Sequence, residues 1–175
     1  MPFPRPASDP IDPAALAAVG LASVEVLAET GSTMERAREL ALDPTCPVPA
    51  VVIAERQTAG RGRRGAHWWQ PPGSLAASLV LEATPSAAPA TWSLACGVAL
   101  AETLRELEPT IAACVRWPND VEVDGRKLAG ILVEAVASGR VVFGIGVNTA
   151  GSAAAAPPAL ARRVATIPDL AGRAM

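Results

Sequence analysis

Tyrosine is absent from the 175 residues, histidine occurs once, at His67, and aromatic residues amount to only 3%. With that single histidine and three scattered cysteines, Cys46, Cys96 and Cys114, the chain lacks the paired spacing of a zinc site or of a disulfide framework. The cysteines are expected to be small core residues in a reducing compartment. Charge is also scarce: 18% of residues are charged and the net charge is −2, which disfavours both a disordered chain and a basic nucleic-acid binder. Long apolar runs are missing too. Residues 83–101 and 141–161 approach the roughly 20 residues of a membrane span, but prolines, serines and glycines interrupt both. The start of the chain carries Pro2, Pro4, Pro6, Pro10 and Pro13 without an apolar run, so it reads as an extended arm rather than a signal peptide. The length suits one domain, and a cytoplasmic location is expected.

Lys127 is the only lysine, Asn119 and Asn148 the only asparagines, and Gln57 and Gln70 the only glutamines. A composition rich in Ala, Pro and Arg is what drift towards a restricted codon set produces, so the survivors mark positions where substitution is chemically costly. The plainer alternative is that asparagine serves turns and that one lysine survives by chance.

Asp12-Pro13 opens a short helix to about Val19 that Gly20 ends. Val24, Val26 and Ala28 alternate with Glu25 as a first strand. Ser32 or Thr33 caps a helix to about Leu42, and 51–54 is a short buried strand. Residues 57–74 hold six glycines and prolines and are expected to form one long irregular loop, of a length that is usually functional or disordered. A strand follows at 75–81, then a helix at 89–107 whose buried stripe is expected at Leu94, Val98, Ala101 and Leu104. Residues 111–116 form a strand and Trp117-Pro118-Asn119-Asp120 a turn. Asp124-Gly125 joins 121–123 to 127–136 in a two-residue hairpin, and 141–147 completes a meander. Helices mixed with antiparallel strands imply an α+β fold with a mixed, largely antiparallel sheet.

Gly60-Arg61-Gly62-Arg63-Arg64-Gly65 satisfies the dinucleotide fingerprint G-x-G-x-x-G after a strand, but His67-Trp68-Trp69-Gln70-Pro71-Pro72-Gly73 follows, where a Rossmann turn must open a helix. The segment instead offers three guanidiniums on a backbone able to approach carboxylate and phosphate oxygens. An exposed arginine-rich loop without a ligand is the plain alternative.

Gly31-Ser32-Thr33, then Gln57 to Gly65, then Trp117-Pro118-Asn119-Asp120, then Gly125-Arg126-Lys127-Leu128-Ala129-Gly130 to Glu134, then Gly144-Ile145-Gly146-Val147-Asn148, occur in an order and spacing that resemble the biotin protein ligases. The resemblance runs from about Val24 to Gly172. It implies a core similar to class II aminoacyl-tRNA synthetases and an enzyme that activates biotin with ATP and Mg²⁺ to biotinyl-adenylate. The biotinyl group then passes to one lysine of a biotin carboxyl carrier protein.

In family terms Ser32, Thr33, Met34, Gln57, Arg61, Gly62, Arg63, Lys127 and Gly130 would bind biotin. Arg63, Trp68, Asn119, Asp120, Lys127 and Asn148 would serve the nucleotide, with Asp120 towards Mg²⁺. Lys127 and Arg63 would be the catalytic pair. Electrostatics supports that pair independently, because a carboxylate attacking an α-phosphate needs fixed positive charge rather than a protein nucleophile.

Plainer roles stand beside these. Asn119-Asp120 can shape the turn, Asn148 can end a strand, Ser32 and Thr33 can be a cap, and Trp68 can pack under the loop or stack on ligand. Trp117 is expected to be a core anchor and His67 an exposed or structural residue.

Residues 1–20 are read as the arm and short helix, and 21–175 as a C-terminally short catalytic domain. The expected protein is monofunctional, without the winged-helix DNA-binding domain or the small C-terminal β-barrel of longer relatives, and interacts with neither DNA nor membrane. A homodimer is one option for its assembly. Met34 and Ala66 stand where relatives often carry polar and basic residues. The alternatives to biotin ligation are a lipoate or octanoate ligase and a non-catalytic biotin-binding module.

Overall fold

The structure is a computed structural model that describes residues 11–83 and 89–172; the first ten residues of the arm expected up to Pro13 lie outside the described residues. Helix α1 (Pro13–Ala18) starts as expected, with the Asp12 side chain accepting from the Ala14 N–H. Seven strands follow, β1 (Ser23–Thr30), β2 (Ala50–Gln57), β3 (Leu75–Glu82), β4 (Cys114–Arg116), β5 (Asp120–Val123), β6 (Arg126–Ala135) and β7 (Arg140–Val147). They form one sheet in the order β1-β2-β3-β7-β6-β5-β4. Only β1 and β2 run parallel; the other neighbours are antiparallel, which gives the expected α+β class. The hairpin between β5 and β6 has positive φ at both Asp124 (51°) and Gly125 (70°), the geometry that a two-residue turn demands of its central pair.

Helices α2 (Thr33–Leu42) and α3 (Pro89–Leu107) lie on opposite faces of the sheet. Met34 of α2 rests on Gly144, whereas Trp92 of α3 packs on Phe143, and adjacent strand residues point to opposite sides. The apolar core under α2 contains Ala37, Leu40, Val52, Val80 and Val142. The core under α3 contains Ala101, Leu104, Val121, Leu128, Ile131 and Val147. Beyond β7 the chain forms the short helices α4 (Pro158–Ala161) and α5 (Ile167–Ala171).

Several expectations are corrected. The buried stripe of α3 runs through Ser93, Gly97, Ala101 and Leu104, and Val98 is exposed. The cause is steric: a Cβ at Gly97 would stand 3.4 Å from Val115 Cγ1, so the helix comes close to the sheet along its small residues. The strand expected over 111–116 begins only at Cys114; the Ile111 and Ala113 N–H groups donate to the Glu108 and Ile111 carbonyls instead of a ladder. Cys46 is buried but Cys114 is exposed, at the sheet edge formed by β4. Trp117 is 75% exposed and anchors no core. The 57–74 stretch is not wholly irregular: Gln57 ends β2, the backbones of Arg61 and His67 pair, and Arg63–Gly65 form a 3₁₀ turn with φ positive at Arg64 and Gly65.

Candidate active site

The N-terminus of α2 is capped from another strand. Ser32 occupies the N-cap position but makes no side-chain cap bond; the Thr33 N–H and hydroxyl both donate to Gln57 Oε1, at 2.9 and 3.1 Å. The Ser78 hydroxyl donates to Thr33 Oγ1 at 2.9 Å. Gln57 thus satisfies the first amide of α2, and the Ser32 Oγ is left buried without a partner, facing a cleft. Sequence reasoning named Gln57 but missed Ser78, whose only signal is a polar residue in the middle of an apolar strand.

That cleft has a volume of about 440 Å³ and is lined by Ser32, Thr33, Met34, Gln57, Arg61, Gly62, Arg63, Trp68, Asn119, Asp120, Lys127 and Gly130. Every sequence-derived site residue except Asn148 is therefore brought to one place. Among the lining residues Arg61, Arg63, Arg64 and Lys127 are cationic and Asp120 is the single carboxylate, so the cleft focuses positive potential.

Two glycines of β7 give the cleft its apolar floor. A Cβ on Gly144 would stand 2.6 Å from Met34 Sδ, and one on Gly146 would stand 2.5 Å from the Trp68 indole. Both point to the same face, as do Gly130 and Gly146, which are register partners. The Trp68 ring therefore lies flat on the sheet, with its Nε1 buried and unpartnered. Between the packing and stacking roles left open for Trp68, the geometry provides both: the ring packs on the sheet and walls the cleft. Sequence reasoning quoted the Gly144-x-Gly146 motif without assigning it a place; glycines two apart in a strand are the readable signal for close approach on one face.

Lys127 lies at the far end of this floor. Its Nζ is 2.7 Å from Asp120 Oδ1, an ion pair outside hydrogen-bonding angles, and 5.4 Å from the centre of the Trp68 ring. Asn119 locks the opposite wall. Its Nδ2 donates to the Ile131 carbonyl at 2.9 Å and its Oδ1 accepts from Arg63 Nη1 at 3.0 Å. It shapes the turn and also tethers the arginine loop across the cleft. Arg61 is paired with Glu35 at 3.1 Å. The exposed Trp117 and the half-buried Pro118, joined by a cis peptide bond, form part of the rim.

Asn148 is placed elsewhere. It is 1% exposed, its Nδ2 donates to the Ala165 carbonyl at 2.9 Å, and it is not among the residues lining the cleft. No described helix is long and apolar enough to cross a membrane.

Comparison with known proteins agrees with this geometry. The chain is 43% identical to the biotin--[acetyl-CoA-carboxylase] ligase of Paracoccus denitrificans over 133 residues, covering 73% of this chain and 55% of that one. It is 41% identical to the bifunctional ligase/repressor of Escherichia coli over 139 residues, or 73% of this chain and 41% of the relative. Among solved structures, the biotin protein ligase from Aquifex aeolicus in complex with biotin and ATP superposes with a TM-score of 0.76 at 29% identity, covering 87% of this chain and 62% of that one. The chain thus spans about half the length of the curated relatives it matches. The model of the biotin/lipoate A/B protein ligase family matches residues 26–149, the span that holds every residue lining the cleft, and the chain belongs to that family.

Proposed function

We propose that this chain activates biotin with ATP to biotinyl-5′-adenylate and transfers the biotinyl group to a lysine of a biotin carboxyl carrier protein. The observation that carries the reading is the polarity gradient along the cleft: hydrogen-bonding groups at one end, a glycine-floored apolar slot, and cations at the other. Gly144 lies opposite Ser78 in the sheet, next to the Ser32, Thr33 and Gln57 cluster, while Gly146 lies opposite Gly130, beside Lys127. Two residues of strand advance about 7 Å, the scale of the pentanoate tail between biotin's bicyclic ring and its carboxylate. A ureido group needs donors and acceptors together, and Ser32 Oγ, Thr33 Oγ1 and the Gln57 amide supply both. A simple lipoyl or octanoyl tail has no use for such a cluster, which favours biotin over the lipoate alternative.

At the cationic end a biotin carboxylate oxygen attacks the α-phosphorus, a P–O bond forms, and the bond to the departing pyrophosphate breaks. Both reactants are anionic, so preorganised charge lowers the barrier. Lys127 is a compact point charge able to bridge a carboxylate and a phosphate oxygen, and Arg63, held by Asn119, offers a planar fork to the phosphates. In the second step the carrier lysine's neutral amine attacks the anhydride carbonyl, the amide forms with loss of a proton, and AMP leaves.

Among the described residues no cluster of His, Cys, Asp and Glu is built to hold a metal by itself. Asp120 as the only lining carboxylate suits a magnesium ion that arrives on the triphosphate, which needs one or two protein carboxylates and takes its remaining ligands from phosphate and water. Asp120 would hold that ion, which would supply positive charge towards the phosphates.

Incubation with biotin and MgATP, followed by mass spectrometry, should reveal biotinyl-adenylate and pyrophosphate; lipoate and octanoate in its place should yield little. Binding of biotin without pyrophosphate release would identify a binding module instead. The Gly60–Gly65 stretch should act as a lid, since its arginines border the cleft on a backbone held by few bonds, Gly62 N–H to the Ala66 carbonyl among them. Trypsin should cut after Arg61, Arg63 or Arg64 more slowly with biotin plus ATP than without ligands. Equal cleavage in both states would remove the lid.

A further inference from the structure

Lys127 sits at an awkward place for a residue that must aim a charge. It is the second residue of β6, one residue past the two-residue turn, and the register of β5 slips by one residue opposite it, between Val121 and Glu122. On its other side β7 does not reach it, because the β6–β7 pairing starts only at Ala129 and Val147. A strand end paired in this way would ordinarily fray.

Instead, the chain returns from beyond β7 to fill the gap. Val164 pairs with Lys127 in parallel: the Lys127 N–H donates to the Arg163 carbonyl at 2.8 Å, and the Ala165 N–H donates to the Lys127 carbonyl at 2.8 Å. The returning segment is itself pinned. Asn148 Nδ2 donates to the Ala165 carbonyl at 2.9 Å, the Ile167 N–H donates to the Asn148 carbonyl at 2.9 Å, and the Thr166 hydroxyl donates to the Gly151 carbonyl at 3.0 Å. Ala165 and Thr166 are fully buried. All of 163–167 lies outside the span matched to the family, 26–149.

We infer that residues 163–166 form a positioning strand for Lys127, with Asn148 as the strut that ties it to the end of β7. None of its residues lines the cleft; it acts by fixing the Lys127 backbone, so that Nζ is delivered at the junction of Asp120, Trp68 and the slot. The inference rests on the adenylation reading for its catalytic consequence, but not for its structural one.

Because Lys127 is the only lysine, uniform ¹⁵N-lysine labelling yields a single backbone amide signal, and its hydrogen exchange reports directly on the bond to Arg163. Ala165→Pro deletes the N–H that holds the Lys127 carbonyl; Ala165→Gly keeps it. In Ala165→Pro the Lys127 amide should exchange at least about tenfold faster and the adenylation kcat should fall about tenfold to a hundredfold, the cost of loosening a charge that must sit within an ångström of its target. Biotin Kd should change by less than about threefold, because the slot is untouched, and Ala165→Gly should resemble the parent protein on all three readouts. If Ala165→Pro does not fold, Thr166→Val, which at constant shape removes both the bond to the Gly151 carbonyl and the cap on the Asp169 N–H of α5, is read by the same measurements and should move exchange and kcat together.

Fast exchange with an unchanged kcat would make the segment merely structural and overturn the inference; unchanged exchange would overturn it outright. If the parent protein forms no adenylate, the functional reading fails, and the clamp is then judged by the Lys127 amide alone.

Discussion

Lys127→Met should cut the rate of biotinyl-adenylate formation by at least about a hundredfold, the scale of removing one transition-state donor. Methionine keeps the length and the apolar stem while deleting the charge, so the packing of the stem beside Gly130 and the Trp68 ring persists. Biotin affinity without ATP should fall less, because the ureido end of the slot is built from Ser32, Thr33 and Gln57 and owes nothing to the lysine. Asp120 loses its cationic partner in this variant, so folding must be checked beside activity. Pyrophosphate release near the parent rate from a folded Lys127→Met protein would remove Lys127 from the chemistry.

Gly146→Ala should lower biotin affinity by about tenfold to a hundredfold with a comparatively small change in thermal stability. The added methyl would stand 2.5 Å from Trp68 Cε2 and Cζ2, closer than real carbon contacts allow, so either the strand or the indole must move. Overpacking of this kind costs about 1–3 kcal/mol. The strand is held in register by β3 and β6 on both sides, so the indole is the part that moves, and it moves into the slot. Combining Gly146→Ala with Trp68→Leu should recover part of the lost affinity by returning room to the ligand. Isothermal titration with biotin measures both; an unchanged Kd in folded Gly146→Ala would mean that Trp68 does not wall the binding slot.

Much of the architecture is legible from short stretches because the forces that set it act over short stretches. The α3 limits follow from the composition and periodicity of 89–107, α1 follows from Asp12-Pro13, and the β5–β6 hairpin follows from Asp124-Gly125, whose backbone conformation few other pairs tolerate. The scarcity of lysine, asparagine and glutamine drew attention to Lys127, Asn119 and Gln57, and these meet in one cleft. Asn148 carries the same signal of rarity but lies behind the wall, where its side-chain amide ties the Ala165 carbonyl. Rarity marks cost of replacement and is blind to whether that cost arises in the cleft or in its supports.

What the sequence determined by itself, then, is the seven strands, the helices α1 to α3 and the α+β class, but not α4 or α5, since periodicity and turn chemistry depend on neighbours a few residues apart. Three things were decided only by tertiary structure. Val98 and Trp117 are apolar yet exposed, because close approach of α3 selected its small residues and because the 117–120 turn stands at the cleft rim. Ser32 faces the cleft while the first amide of α2 is satisfied by Gln57, 24 residues away from Thr33. Lys127 is held in place by a segment that starts more than thirty residues later. The last two depend on register between distant strands, because Gln57 and Lys127 are strand residues and a slip of one residue would turn each to the opposite face of the assembled sheet.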